Sequence, residues 1–557
     1  MTNTSAFRRA FFDLPLAVFL LTAAIAAWAA YDRQAAWAKL WPIIGAVVLF
    51  YGLAWWGRPR LWQVAGLLAL FGSLLAVYFL LTYNWQAEPV KIDFVNRIGL
   101  NWMAMRGGGL AGLPQIETDV AAGILGILAP FSFAVAMHWR QAGGKSKLPL
   151  LLLLAGLLTI MGALFLSAER GPWLGTAAAA GGWLWWKISA WASYRLKRSA
   201  SILWGTGILF FVGAFLLLIL LTPGSAAALE KILPGPAEAA SRLNLWQNSL
   251  KLVGDFPFTG GGLASYPGLY SQYILVVPYF FDGSSHNMFV EVAIEQGIPG
   301  FLALLVIFFG SLVVLVFRLL RQPQDGSTPI WGAALAGFVV LAFAGMLENA
   351  FYSRLDVWLL FLLPGVAVSG IPGPASLPVA LRRSRGQAVW AGGGIFLVIL
   401  LALVGFGRHL LSAVYADLGA VQMAQVELAD FPANRWKDSS DTGALIPAEA
   451  LLQRSSELNP DNRDAQYHLG LIALLQRDFT SAVDHLERAY RIDPGHPGIR
   501  KTLGYSYAWD GKLDQSEAIL KSVPEAKSEM YAYSEWWGGQ GRPDLAEYAR
   551  QMLERLY

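Results

Sequence analysis

Residues 148–172 read LPLLLLLAGLLTIMGALFLSAERGP. From Leu148 to Leu166 the stretch carries no charge. Then Ser167-Ala168-Glu169-Arg170-Gly171 sets an acid beside a base, just before the next apolar run. About 20 apolar residues in a helix cross the bilayer core, which is about 30 Å thick. A shorter block would suffice for a buried helix of a water-soluble domain. Pro172 suits the first turn of the following helix. Two spans are therefore predicted to be joined by a turn so tight that Arg170 is held at the membrane edge. An ionisable residue in that position is costly, which makes it a functional candidate.

The same grammar runs through most of the chain. Hydrophobic residues make up 55% of the 557 residues and charged residues 14%, where soluble domains carry about 25% charged. The blocks predict an all-α polytopic bundle of about eleven spans: 11–30, 40–56, 61–82, 119–137, 148–167, 172–190, 200–222, 288–317, 330–348, 355–371 and 389–407. The block after Arg8 and Arg9 has no small-residue cleavage site behind it, so it reads as a span. Lys and Arg gather in alternate loops: Arg58 and Arg60; Arg140, Lys145 and Lys147; Arg195, Lys197 and Arg198; Arg318 and Arg321; Arg382, Arg383 and Arg385. By the positive-inside rule that set is cytoplasmic. The loops 83–118 and 223–287, and everything after 408, then lie outside the cytoplasmic membrane. The placement follows from an odd span count.

The outer loops are long. Connections beyond about 15 residues are more often functional than accidental. Loop 223–287 holds Arg242, Trp246, Asp255 and Gly260-Gly261-Gly262, and it ends in Ser284-Ser285-His286-Asn287.

A second period appears after 448. Leu469-Gly470 recurs as Leu503-Gly504, Phe479 as Leu513, Ala482 as Ser516, Leu486 as Leu520, and Asn459-Pro460 as Asp493-Pro494, each 34 residues on. This is the tetratricopeptide period. It is clear over 463–524 and degenerate on both flanks, as capping repeats are. Residues 430–447 read as an inserted loop. The predicted organisation is a membrane domain over 1–407 and a helical solenoid over 408–557. The solenoid would either present a concave face to a protein partner or position the membrane half.

Three residues stand out as candidates for chemistry. His286 is the one histidine on the outer face of the membrane half. It stands at a helix start behind two serines able to cap it. A helix N-terminus disfavours imidazolium, and a neutral imidazole there would serve as a general base. The plainer reading is an interfacial histidine bonded to a cap. Arg170 and Arg242 offer planar forks for a diphosphate. The plainer readings are an arginine paired with Glu169 or a lipid headgroup, and a solvated loop charge. Glu348 and Arg354 would extend the polar site. The chain has no Cys, which excludes disulfides and Cys nucleophiles. It has no Asp-x-Asp pair to hold a metal-bound diphosphate and no phosphate-binding Gly-rich loop. No basic helix points to nucleic acid.

The ordered set Ser167-Ala168-Glu169-Arg170-Gly171, Arg242-x-x-x-Trp246, Asp255-Phe256-Pro257-Phe258-Thr259-Gly260-Gly261-Gly262, Ser285-His286-Asn287 and Glu295-Gln296-Gly297-Ile298-Pro299-Gly300 resembles the O-antigen ligase and O-antigen polymerase superfamily. The resemblance covers roughly 1–407. It implies a glycosyltransferase that is metal-independent, inverting and without a cofactor. The donor would be a glycan on a polyprenyl diphosphate, and the acceptor a hydroxyl of a sugar, lipid or protein. By that similarity Arg170 and Arg242 would bind the diphosphate and stabilise its departing charge, and His286 would orient or deprotonate the acceptor hydroxyl. Arg97, Arg106, Tyr266 and Tyr270 are further loop residues of the types some members use. Two other classes are open on residues alone. A transporter or lipid flippase would want paired ionisable residues inside its spans and matched half-repeats. A non-catalytic anchor for the repeats would leave Arg170, Arg242 and His286 without a role.

Overall fold

The computed structural model describes residues 4–107, 113–141, 147–196, 236–274, 283–321, 326–348, 350–352, 356–369, 407–433 and 442–556. Every regular element among them is helical, as the apolar blocks and the repeat period require. The membrane half comprises α1 (Thr4–Ala29), α2 (Arg33–Thr82), α3 (Asp93–Met105), α4 (Thr118–Gln141), α5 (Leu148–Leu166), α6 (Arg170–Leu196), α7 (Pro236–Asp255), α8 (Tyr266–Ile274), α9 (Met288–Arg321), α10 (Thr328–Leu347) and α11 (Trp358–Val368).

Seven stretches among the described residues are long and apolar enough to cross a membrane: Phe11–Ala29, Arg33–Trp55, Arg60–Thr82, Thr118–Gln141, Leu148–Leu166, Met288–Leu320 and Thr328–Leu347. The expected span 172–190 falls in α6. The one at 355–371 shortens to the 11 residues of α11, too few to cross alone. The expected spans 200–222 and, but for its last residue, 389–407 lie outside the described residues.

Spans two and three are continuous in secondary structure, because α2 is one 50-residue element. It nevertheless doubles back. Phe71 packs edge-on against Trp358, while a Cβ on Gly365 would sit 3.2 Å from the Cα of Phe50. Trp358 and Gly365 are about 10 Å apart along α11, whereas a straight helix would part Phe50 from Phe71 by about 30 Å. The two halves therefore run as separate spans, as expected.

Loop 223–287 is more structured than its composition suggested. It contains α7 and α8, and its middle, 256–263, docks into a break in α9. Gly297 leaves the helix at φ 69°, ψ −178°, and the turn around it loses its internal bonds. The loop replaces them. Gly261 N donates to Ile294 O at 2.8 Å, Gly262 N to Glu295 O at 3.3 Å, and Ile298 N to Pro257 O at 2.9 Å. Backbone groups buried at membrane depth must be satisfied this way. A Cβ on Gly260 would lie 2.2 Å from Glu295 O, so only glycine allows the approach.

The repeat half follows with α12 (407–427), then α13 (Ile446–Leu458), α14 (Arg463–Leu475), α15 (Phe479–Ile492), α16 (Pro497–Trp509), α17 (Leu513–Leu520), α18 (Ala526–Gly539) and α19 (Pro543–Arg555). The Leu-Gly signature has a packing cause. The missing side chains of Gly470 and Gly504 leave room for Leu486 and Leu520 of the paired helix. Leu418-Gly419 is a third instance: Leu452 fills the space over Gly419, so α12 and α13 form a further hairpin around the insertion.

Candidate functional site

Five helix ends meet at one end of the bundle: the N-termini of α4, α6 and α9 and the C-termini of α5 and α10. The turn from α5 to α6 is clamped from both sides. Ala168 adopts φ +55°. Ser167 Oγ and Trp173 Nε1 both donate to Leu164 O, at 2.7 and 2.6 Å, and Trp85 Nε1 donates to Leu166 O at 3.2 Å. Arg170 is thereby fixed as the first residue of α6.

The His286 turn is held as firmly. His286 sits at φ +50°, a left-handed conformation that costs a non-glycine residue roughly 1 kcal/mol and persists where neighbours enforce it. Its amide donates to Ser284 Oγ. Trp246 Nε1 of α7 donates to Ser285 O at 3.1 Å. Ser285 donates through both N and Oγ to Glu291, at 2.9 and 2.7 Å. The serines therefore do not cap α9, as the sequence had suggested. Asn287 does, its Oδ1 accepting from the amides of Phe289 and Val290. The serines shape the turn instead.

The side chains form a chain of charges across this end. His286 Nδ1 lies 3.1 Å from Glu348 Oε2. Lys91 Nζ lies 3.5 Å from the other oxygen of Glu348 and 2.7 Å from Glu169 Oε2. Thr118 donates to Glu169 Oε1 at 2.6 Å. The carboxylates are sunk, at 4% exposure for Glu169 and 13% for Glu348, while Lys91 and His286 are open at 45% and 39%. The arrangement presents cationic and basic groups to the outside, with their counter-charges behind them. The Ser167–Arg170 turn and the His286 turn are thus one site, joined by Glu169, Lys91 and Glu348. Arg242 lies in α7, one helical turn before Trp246; its side chain, and Arg354, lie outside the described residues.

Other loop residues have structural work. Arg106 donates to Leu80 O and Tyr83 O and caps the end of α2. Tyr266 and Tyr270 stack on each other in the buried core beside α7. Deeper in the bundle Lys39 and Glu295 pair at 2.7 Å, at 7% and 1% exposure. This is an ionisable pair inside spans, which the sequence did not reveal. Glu295 also accepts from Ala264 N at 2.9 Å, which ties the pair to the docked loop. Among the described residues no three His, Cys, Asp or Glu side chains group as a metal ion would need.

The far side of the loop is gripped by the repeat half. Asp417 of α12 accepts from Phe258 N at 3.1 Å and Thr259 Oγ1 at 2.7 Å. Asp255 pairs with Arg463 and with His496 Nε2, the latter at 3.3 Å. Burial alone would raise the Asp255 carboxyl. His496 and Arg463 outweigh it and hold the carboxyl below its ordinary range. Asp417 is pushed up to about 6 by burial, against the hydrogen bonds from Thr259 and Phe258.

These features define a multi-pass membrane protein with a polar site at one end of its bundle and a helical repeat domain docked over that end. Residues 155–305 match the family model described as O-Antigen ligase, and 448–497 and 473–538 match two tetratricopeptide-repeat models. The chain thus carries an O-antigen ligase domain, which supports membrane glycan transfer, followed by tetratricopeptide repeats. Comparison with curated proteins finds no match. Arg170, Arg242 and His286 all fall within the matched segment.

Lys91, Glu169 and Glu348 are the site residues that reading the sequence did not place together. Glu169 and Glu348 were visible as charges at span ends, whereas Lys91 lies within the outer loop 83–118. Their convergence depends on packing between α4, α5 and α10, which no local pattern encodes.

Proposed function

We propose that this protein transfers a glycan from a polyprenyl diphosphate to an acceptor hydroxyl, at the outer face of the cytoplasmic membrane, without a metal ion. The observation that carries this reading is the contact of His286 Nδ1 with the sunken carboxylate of Glu348. With Nδ1–H donating to Glu348, Nε2 is left with its lone pair. Glu348 orients the ring and stabilises the imidazolium that forms.

In the proposed step Nε2 takes the proton of the acceptor hydroxyl. The acceptor oxygen forms its bond to the anomeric carbon from the face opposite the diphosphate, and the bond from that carbon to the diphosphate oxygen breaks, inverting the centre. The leaving group gains one negative charge. Arg170, at the positive end of α6, and Arg242 receive it; cations fixed in advance stabilise charge that develops in the transition state. Lys91 adds a third positive charge at the same end.

The outer placement is supported by the distribution of charge. Arg60, Arg140, Lys147 and Arg318 stand at the opposite ends of the same spans, and cytoplasmic ends carry the excess of Lys and Arg. The repeat half shares the end that holds His286. We take 1–407 as the membrane domain and 408–557 as the repeat domain on the outer side.

The test uses the full chain in lipid with a polyprenyl-diphosphate oligosaccharide. Release of free polyprenyl diphosphate is followed with and without acceptors, in EDTA, for the native chain and His286→Ala. Release that needs an acceptor and His286, and persists in EDTA, is the expected result. Equal release from His286→Ala would remove the assignment of the base.

A further inference from the structure

The inner face of the repeat array is occupied at α14 and α16, and by this chain. The first helices of successive repeats, α14 and α16, line the concave side on which such arrays bind their ligands. On that side lie the end of α7, the loop after it and α8. Phe256 meets His468 of α14 edge-on, and Tyr266 and Tyr270 share one buried cluster with Ile499, Leu503 and Tyr507 of α16.

The polar contacts are as specific as the apolar ones. Asp255, the last residue of α7, is 2% exposed and meets Arg463 and the fully buried His496. His496 Nδ1 accepts from Ile499 N at 3.2 Å, which leaves Nε2 to donate to Asp255. Lys251, one turn earlier in α7, pairs with Asp493 at 2.8 Å. From α12, Asp417 holds the backbone of Phe258 and Thr259. A tether would not need a buried carboxylate with a buried His496 and a largely covered Arg463 as partners; leaving Asp255 unpaired would be strongly unfavourable.

The same α7 reaches the other way. Trp246 donates to the carbonyl of Ser285, next to His286, and Arg242 stands one turn before it. One rigid helix thus has its C-terminal turns in the repeat array and its middle on the His286 turn.

We propose that the repeat domain is a positioning element of the transfer site: by gripping α7 and residues 256–262 it fixes Trp246 against the His286 turn and sets the backbone position from which Arg242 projects. Its first ligand is the membrane half of its own chain, and the inner face at α14 and α16 is closed to a separate partner. This inference rests on the proposed transfer reaction for its kinetic consequence but not for the docking itself.

The test is a charge reversal in the full-length protein at the partly exposed pair of Lys251 and Asp493. Lys251→Glu sets two carboxylates against each other. It is expected to slow transfer about 10-fold or more, since small misplacements of positioning groups are costly. It should also speed amide exchange at 256–262. Adding Asp493→Asn removes the repulsion without setting a cation beside Arg463, whose Nη1 lies 3.3 Å from Asp493, and should return both readouts to within about threefold of native, the coupling a double-mutant cycle isolates. A native rate in Lys251→Glu would overturn the proposal, as would a double variant no faster than the single one. If the native chain releases no diphosphate, the transfer reading fails, and exchange at 256–262 still decides the docking: protection unchanged in Lys251→Glu would overturn it.

Discussion

Glu348 Oε2 lies 3.1 Å from His286 Nδ1, although the two residues are 62 positions apart. The pair joins the end of α10 to the start of α9. In Glu348→Gln a hydrogen bond to the ring survives but the counter-charge for imidazolium is lost, and the amide can hold the wrong tautomer. We expect kcat to fall by roughly 10²–10⁴ with donor binding near native. Single-turnover release of polyprenyl diphosphate, set beside equilibrium donor binding, separates the two. Native turnover in Glu348→Gln would show that the carboxylate does not act through His286.

Lys91 stands between two sunken carboxylates, 2.7 Å from Glu169 and 3.5 Å from Glu348. Lys91→Gln would leave both acids facing each other with one fewer cation. The site then offers one fewer preorganised cation to the departing diphosphate. Because Lys91 is half open to solvent, its effect is screened. We expect a loss of about 10-fold in kcat/KM, larger at low ionic strength. A salt titration of the Lys91→Gln defect measures this, and a defect independent of salt would point to packing instead.

Much of the fold was legible because its signals are local. The block 148–166 states a span by length alone, and Leu469-Gly470 with Leu503-Gly504 state a repeat by period. The Asn287 cap was less plain, since Ser284 and Ser285 are equally good capping types, and only the path of the backbone chooses among them. What depends on convergence was hidden. Lys91 lies in an outer loop with no motif around it, and Lys39 reads as one charge near the start of a span. Nothing near either in sequence announces Glu348 or Glu295. The contacts of Asp255 with Arg463 and His496 cross more than 200 positions, and the repeat period carries no information about which surface fills the groove.

Asp417 supplies a pH dependence whose sign follows from burial. Its carboxyl is pushed up to about 6 in the docked state, against an ordinary value of about 3.9 when solvated. The docked state therefore binds the proton more tightly between those values. Its contribution is fully present below the solvated value and is lost as pH rises through about 6. Relative to Asp417→Asn, which cannot titrate, the native interface should gain about 1 kcal/mol from pH 7 to pH 5. Buried His468, held below its ordinary value by burial, acts in the opposite sense in both proteins and cancels in the difference. Exchange of the Phe258 and Thr259 amides, corrected for intrinsic rates, reads the effect. A difference that shrinks on acidification would reverse the assignment.

Gly297 tests the docked loop from the membrane side. Its φ of 69° with ψ of −178° is a region that glycine occupies almost alone. A Cβ there would stand 2.8 Å from Phe258 O and 2.9 Å from Pro257 O. Pro257 O is the acceptor for Ile298 N, so Gly297→Ala is opposed by backbone strain and by displacement of the loop segment that completes α9. We expect a loss of about 1–3 kcal/mol in thermal unfolding, and a fall in transfer beyond what the lost stability explains, because 256–262 is the segment that Asp417 and Asp255 hold. Gly332→Ala is the matched comparison. Gly332 lies inside α10 with nothing within 4 Å of an added Cβ, and alanine there should be neutral or stabilising by up to about 1 kcal/mol. Equal melting temperatures for the two variants would mean that the break at Gly297 is not what holds the loop in place.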